Sequence, residues 1–266
     1  MPSRPIITLT TDFGDTDYFV GVMKGVILSI QPEALIVDLT HNIRPQDLFD
    51  GAFLIHQTCR YFPAQTIHCV VVDPGVGTAR RPIVASAENQ FFVAPDNGVL
   101  SLVLEEAAEI QVVHATATHY FRDDKTPTFQ GRSIFAPLAA WISRGVKMES
   151  MGPPITDFIR LKSPQARQTE SNKVRGAILK IDHFGNCITN IDPKLLPGFF
   201  NTPRPAFMFR VGNATIARIQ STFEEASSPE PFIFLGSTGC FEIGINHGSA
   251  AELLKLSRGM EIEVSW

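Results

Sequence analysis

Ile67-His68-Cys69-Val70-Val71-Val72-Asp73-Pro74-Gly75 decides how the first half of the chain is read. A largely β-branched run ends in a carboxylate, a proline and a glycine, the pattern of a buried strand closed by a turn. Upstream, residues 46–62 carry amphipathic helical spacing, and Pro63 stops them. Downstream, Phe91-Phe92-Val93-Ala94 is a second apolar run, closed by Pro95-Asp96-Asn97-Gly98. Further out the alternation continues. Residues 6–10 and 34–38 read as strands, and residues 17–29 have helical spacing with Phe19, Met23, Val26 and Ile27 on or near one face. Residues 134–141 have a buried-helix pattern in which Pro137 is tolerable if it lies in the first turn. This β-α-β-α order predicts an α/β N-terminal domain with a largely parallel sheet. Ligands of such sheets sit beyond the carboxyl ends of the strands. That rule puts Thr10-Thr11-Asp12, Asp73-Pro74-Gly75 and Pro95-Asp96-Asn97 on one functional rim, each with a carboxylate.

Composition shifts near Leu161. Residues 162–172 are polar and aperiodic and read as a linker between an N-terminal domain at 1–161 and a C-terminal domain at 173–266. Short strand patterns follow at 174–181, 206–211, 232–235 and 261–264, with proline and glycine between them. They predict a smaller all-β domain, a barrel or a sandwich. The 266 residues suffice for two ordinary domains, and 44% hydrophobic content supplies a sizeable core. Lys and Arg total 23 against 27 for Asp and Glu, a net charge of −4, which rules out a protein that grips nucleic acid through a large basic excess. No apolar run approaches the ~18–20 residues of a membrane span. No signal-peptide pattern is seen at the start. A cytoplasmic protein with neither nucleic-acid nor membrane partners is expected. Cys59, Cys69, Cys187 and Cys240 form no Cys-x-x-Cys pair and read as buried free thiols.

Several familiar motifs are missing. There is no P-loop and no His-Glu-x-x-His helix, and Gly75-Val76-Gly77-Thr78-Ala79-Arg80 lacks the third glycine of a dinucleotide fingerprint. Asp12-Phe13-Gly14 echoes a kinase triplet without the rest of that set. Asp12, Asp15 and Asp17 could hold a hard cation, but Asp15 or Asp17 is better read as capping the following helix. Asp12, directly at a strand end, suits the hydroxyls of a ribose-like diol. The stretch from Asp73 to Arg81 sets a carboxylate before a glycine-rich turn and two arginines, so that an arginine can return to face the carboxylate. A structural ion pair across a tight turn reads equally well. Thr128-Phe129-Gln130-Gly131-Arg132 reads first as a helix-start loop. Residues 182–190 gather Asp182, Phe184, Asn186 and Asn190 in one loop, an aromatic face with carboxamides that suits a purine. Ser237-Thr238-Gly239 and Asn246-His247-Gly248 are further polar turns. The seven histidines show no metal-ligand spacing, and His41 reads as a satisfied strand-end residue.

Together these blocks resemble the S-adenosylmethionine hydrolase and fluorinase family, whose hydrolytic members are also called S-adenosylmethionine hydroxide adenosyltransferases. The resemblance covers nearly the whole chain. It rests on Thr10-Thr11-Asp12-Phe13-Gly14, Gly21-x-Met23-Lys24-Gly25, Asp38-Leu39-Thr40-His41, Asp73-Pro74-Gly75-Val76-Gly77-Thr78-x-Arg80-Arg81, Ala94-Pro95-Asp96-Asn97-Gly98, Phe129-x-Gly131-Arg132-x-Ile134-Phe135-Ala136-Pro137 and Asp182-x-Phe184-Gly185-Asn186.

The resemblance implies a homotrimer with the ligand between the N-terminal domain of one subunit and the C-terminal domain of its neighbour. It implies attack at C5′ of the ribose, with methionine leaving. The hydrolytic members' Asp-Arg-His set falls on Asp73, Arg80 and Gln130, so this chain departs from the pattern at the third position. Glutamine takes up no proton near neutral pH, yet it can accept a hydrogen bond from water and donate one to Asp73. Of the substrate contacts, the resemblance puts Asp12 on the ribose hydroxyls and Thr128 and Phe129 along the nucleoside. It puts Asp182 and Ser237 on the amino-acid end, Phe184 and Phe223 beside adenine, Asn186 and the backbone near His247 on the purine edge, and Asn246 on the same wall. No metal or cofactor is implied, and adenosine is a candidate to co-purify. Two alternatives remain: a non-catalytic adenosine or S-adenosylmethionine binder, and a halide-dependent transferase.

Overall fold

The computed structural model describes residues 4–123, 127–226 and 229–266. The chain divides into two compact units, Met1–Leu161 and Lys162–Trp266.

In the first unit the elements run β1 (Ile6–Thr11), α1 (Phe19–Ile30), β2 (Leu35–Thr40), α2 (Leu48–Cys59), β3 (Ile67–Val71), β4 (Pro82–Ala87), β5 (Gln90–Pro95), α3 (Ser101–Glu106), β6 (Ile110–His114) and α4 (Ala136–Ser143). The sheet order is β2-β1-β3-β5-β4-β6. The pairings β1–β2, β1–β3 and β3–β5 are parallel, whereas β4 pairs antiparallel with β5 and with β6. The sheet is therefore mixed. The β4–β5 hairpin turns on Glu88 and Asn89, both at positive φ (48° and 59°), as a two-residue turn of this hand requires.

Alternation along the strands feeds two cores. Ile7, Leu9, Cys69 and Val71 face Met23 and Ile27 of α1 and Leu138 and Ala139 of α4. Val70, Val72 and Phe92 pack with Ile55 of α2 and Leu104 of α3 on the other side. Burial on both faces is what a parallel sheet covered by helices demands, and each fully buried Val, Leu, Ile, Met or Phe contributes about 1.5–3 kcal/mol.

The helix after Gln130 starts earlier than its apolar pattern suggests. A π-helical turn, Gly131–Phe135, leads into α4, whose first turn contains Pro137. Proline has no N–H to give the carbonyl four residues back, that of Ser133. The Arg122 N–H takes that carbonyl instead, at 2.9 Å.

In the second unit, β7 (Arg167–Glu170), β8 (Lys173–Ile181), β9 (Cys187–Thr189), β10 (Met208–Val211), β11 (Ala214–Ile216), β12 (Phe232–Leu235), β13 (Phe241–Gly244) and β14 (Glu261–Ser265) form a barrel-like antiparallel sheet, with α5 (Ala250–Leu254) before the last strand. Phe209, Phe241, Ile243, Ile262 and Val264 fill its core. The stretch read as a linker is partly strand: β7 pairs with β8. All four β7 residues are exposed, so no apolar alternation marks them. Among the described residues, no helix is long and apolar enough to cross a membrane.

Candidate active-site clusters

The first unit gathers one cluster beyond the ends of β1 and β3. Asp12 follows β1, Asp73 lies two residues past β3, and Thr128, Phe129 and Gln130 precede the π-helical turn. Together they line a cavity of about 150 Å³ with Phe13, Phe19, Val71, Val76 and Gly131. Arg80 returns across the glycine turn to clamp Asp73: Nε donates to Oδ1 at 2.9 Å and Nη2 to Oδ2. The same Nη2 donates to Gln130 Oε1 at 2.5 Å. The Arg80 and Asp73 side chains are 8% and 5% exposed, and the guanidinium sits 5.1 Å from the Phe135 ring centre. A buried, bidentate carboxylate–guanidinium pair with good geometry is fixed in place.

The structure thus joins the three residues matched to the water-handling set. It corrects the role expected of the glutamine. A guanidinium only donates, so Gln130 turns its carbonyl to Arg80 rather than its N–H to Asp73. The second lone pair of that carbonyl remains for a water hydrogen.

Asp12 Oδ2 accepts the Gln46 N–H at 2.8 Å, which fixes the carboxylate while leaving Oδ1 for a ligand. Phe129 is buried against Phe19, ring centres 5.0 Å apart, and only part of it lines the cavity. Thr128 is exposed at the cavity edge. Neither Asp15 nor Asp17 caps α1: the capping position is Tyr18, without a side-chain bond. Asp15 accepts from Asn42 Nδ2 at 2.7 Å instead. Among the described residues no group of three or more His, Cys, Asp or Glu is placed to hold a metal ion.

The third strand end does not contribute. Asp96 is buried and spent on Arg81, whose Nε donates at 2.8 Å, and on the Ile159 N–H at 2.7 Å. Arg81 also bonds Asp157 at 2.8 Å. Asn97 donates to the Val72 carbonyl at 2.9 Å. This end of β5 is a clasp for residues 157–159.

The second unit holds a cavity of about 740 Å³ lined by Asp182, Phe184, Asn186, Phe223, Phe234, Leu235, Gly236, Ser237, Glu242, Ile245, His247 and Gly248. Its size is that of a small-molecule pocket. The β8–β9 turn is built on Asp182, whose Oδ1 accepts the Phe184 and Asn186 N–H groups at 2.9 and 2.8 Å and whose Oδ2 accepts Asn186 Nδ2 at 2.8 Å. Gly185 sits at φ +85°, where an added Cβ would lie 2.1 Å from Ser249 Oγ. Phe184 is 74% exposed, and Phe223 packs on Phe234 at 5.0 Å. Gly244 leaves room between Phe234 and Asn186, since its Cβ would come within 2.8 Å of the ring.

Asn246 is not on this wall. It is spent on the Ala226 carbonyl, donating at 3.0 Å, because the chain reverses at His247, φ +56°.

Glu242 was not singled out by its sequence context and is nevertheless 5% exposed on the cavity lining. Burial first, then the charge of Asp182, push its carboxyl up to about 7, against the Thr238 hydroxyl, which favours the ionised form. Two carboxyl groups close enough to interact therefore stand on a lining that also carries Phe184, Phe223 and Phe234. Cys187 beneath them is an inert thiol, pushed up to about 12 chiefly by burial.

Comparison with known proteins agrees across both units. Residues 7–152 match the SAM hydroxide adenosyltransferase N-terminal domain, and residues 176–263 match the SAM hydroxide adenosyltransferase C-terminal domain. A protein of Salinispora tropica named (R)-S-adenosyl-L-methionine hydrolase is 36% identical over 271 residues, covering 100% of this chain and 99% of that one. A fluorinase of an Actinoplanes species is 27% identical, covering 100% and 99%. The crystal structure of an uncharacterized conserved protein from Thermotoga maritima superposes with a TM-score of 0.88 at 35% identity, covering 98% of this chain and 100% of that one. Both halves, in order and over nearly their full length, place the chain in the SAM hydroxide adenosyltransferase family.

Proposed function

We propose that the chain hydrolyses S-adenosyl-L-methionine to adenosine and L-methionine. The observation that carries this reading is the buried Asp73–Arg80–Gln130 cluster at the end of β3. Water attacks C5′ of the ribose, and the C5′–S bond breaks. Its electron pair goes to the sulfonium sulfur, so methionine leaves as a neutral thioether. The water's proton passes through Asp73 to solvent. A neutral leaving group needs no acid, and the proposed route uses neither metal nor cofactor.

Asp73 accepts a hydrogen from the attacking water, and Arg80 offsets the negative charge that develops on oxygen. Gln130 holds the water through its remaining lone pair, a task glutamine performs in some phosphoryl-transfer enzymes. In-line holding of the water is a proximity effect worth several kcal/mol, up to ~7 or more in favourable cases. In this reading Asp12, Thr128 and Phe129 hold the ribose. Phe184, Phe223, Asn186 and the backbone at His247 hold adenine. Asp182, Ser237 and Glu242 take the methionine ammonium.

The N-terminal cavity, about 150 Å³, is smaller than the ~300 Å³ or more of an ordinary ligand pocket, whereas the C-terminal one is about 740 Å³. As the family resemblance implies, we propose a homotrimer in which one copy's N-terminal cluster meets a neighbouring copy's C-terminal cavity. The free cysteines suit a cytoplasmic setting.

Product analysis by chromatography tests the proposal. Adenosine and methionine should appear in equal amounts. Intact S-adenosylmethionine after long incubation, with ligand demonstrably bound, would favour a binding protein instead. Gln130 in place of histidine motivates that second reading. A halide nucleophile is disfavoured by the Asp73 carboxylate beside its path, and no 5′-halo-5′-deoxyadenosine should form.

A further inference from the structure

Two sequence blocks of the family resemblance, around Lys24 and from Asp38 to His41, have no part in the chemistry above, yet the fold brings them together behind Asp12. Lys24 Nζ donates to Asp38 Oδ2 at 2.5 Å. Asp38 Oδ1 lies 3.0 Å from His41 Nε2. His41 Nδ1 is 2.8 Å from Thr11 Oγ1.

The order acid–imidazole–hydroxyl resembles a nucleophilic triad, but Thr11 is completely buried, so no substrate can reach its oxygen. The Phe13 N–H donates to the same oxygen at 3.3 Å. Asp38 only accepts, so the ring N–H beside it is assigned to His41 Nε2, and Nδ1 then accepts the Thr11 hydroxyl hydrogen. Burial draws the Asp38 carboxyl upward, but Lys24 and His41 together outweigh it and hold it below its ordinary range.

His41 grips the loop twice. Its ring holds Thr11, the residue before Asp12, and its backbone carbonyl accepts the Gly14 N–H at 2.8 Å. Asp12 and Phe13, which both line the N-terminal cavity, are bracketed between these two holds. The Gln46 N–H then fixes one Asp12 oxygen from the other side.

We propose that His41 is a positioning residue that sets the Asp12 carboxylate for the ribose diol, with Asp38 and Lys24 holding the imidazole in its working orientation. The proposal rests on the reading of Asp12 as the diol acceptor. A carboxylate that must accept two hydroxyl hydrogens at once tolerates little rotation, so the effect should be confined to ligands that possess the diol.

The test compares adenosine with 2′,3′-dideoxyadenosine by calorimetry on the full-length protein. Wild type should prefer adenosine. His41→Leu should weaken adenosine about tenfold while changing dideoxyadenosine less than about twofold, so the preference collapses. In an Asp12→Ala background, His41→Leu should add almost nothing, because it acts through Asp12. Should the buried His41→Leu fail to fold, Asp38→Asn, whose side chain is 39% exposed, should show the same selective loss more weakly.

Equal losses for both ligands, unchanged adenosine binding in folded variants, or additive effects with Asp12→Ala would overturn the positioning role while leaving Asp12 on the ribose. A wild type that binds both nucleosides equally would remove Asp12 from the ribose, and the proposal with it.

Discussion

The two clusters solve opposite problems. In the N-terminal unit the charges are already paired: Asp73 is clamped by Arg80, which also holds Gln130, in a cavity of about 150 Å³. In the C-terminal unit the acidic groups have neutral hydrogen-bond partners rather than a guanidinium clamp. Asp182 and Glu242 line a cavity of about 740 Å³, and Phe184 is exposed beside it. Chemistry gains from groups fixed before the substrate arrives. Recognition gains from groups whose cost is relieved by the ligand itself, in the proposed reading a cation for two carboxylates and a purine face for an exposed ring.

The sharpest way to break that contrast is to unclamp the first cluster. Arg80→Met should lower kcat by about 10²–10³-fold and destabilise the protein by about 3–5 kcal/mol, because it strands the buried Asp73 charge. Steady-state kinetics and denaturant unfolding read the two effects. A variant with near-normal kcat would mean that the pair is only structural.

Glu242→Gln should act on binding instead, raising KM about tenfold or more with a smaller effect on kcat. Because Glu242 is protonated below about 7, wild-type affinity for the sulfonium amino acid should strengthen as pH rises through that value. The glutamine variant should lose this dependence, and a steep dependence that survives in it would assign the proton elsewhere.

Gln130→His should raise the rate or leave it similar. A sharp fall would give the glutamine a dedicated role that accepting a water hydrogen does not supply.

The smallest effect concerns stability. His68 is buried in the first unit, its Nδ1 2.7 Å from Thr8 Oγ1, and burial lowers it to about 4 from 6.5. The unfolded chain binds its proton more readily, so the first unit should lose stability as pH falls from about 6.5 toward 4. Glu242 has the opposite sign: its folded carboxyl, at about 7, keeps a proton the unfolded chain releases, so its contribution is present below about 4.5 and lost as pH rises through 7. Hydrogen exchange without ligand should show protection of the first unit falling on acidification while that of the second rises. A parallel response of both units would contradict these assignments.

What the sequence revealed follows from burial. β1, β3 and β5 announce themselves because their apolar runs are almost fully covered, and β2, none of whose residues is buried, by the apolar run Leu35-Ile36-Val37 alone. β4 does not, since its two β-branched residues, Ile83 and Val84, stand between Pro82 and the small Ala85-Ser86-Ala87, and β6 exposes Ile110 and Gln111 at the sheet edge. The expected largely parallel sheet is there in β2-β1-β3-β5, and the two strands without a clear signal are those that pair antiparallel. Asp73 and Arg80 were legible as partners because a glycine turn lets the arginine return to the carboxylate, while their place in a water-handling set came only from the family resemblance. Glu242 was not legible. Between Phe241 and Ile243 it looks like an ordinary outward-facing strand residue, and only the cavity shows that its face is covered. Asp15 and Asp17, read as caps, and Asn246, put on the pocket wall by the family resemblance, misled in the other direction: short polar side chains near turns have many backbone and side-chain partners, and neither spacing nor resemblance says which one they take.

The most direct test of the central claim is to run the reaction in heavy-oxygen water and follow the label by mass spectrometry. Attack of water at C5′ predicts adenosine labelled at its 5′-hydroxyl and methionine without label, with both lost together in Asp73→Asn. Unlabelled adenosine, label in methionine, or turnover that survives loss of the Asp73 carboxylate would contradict it.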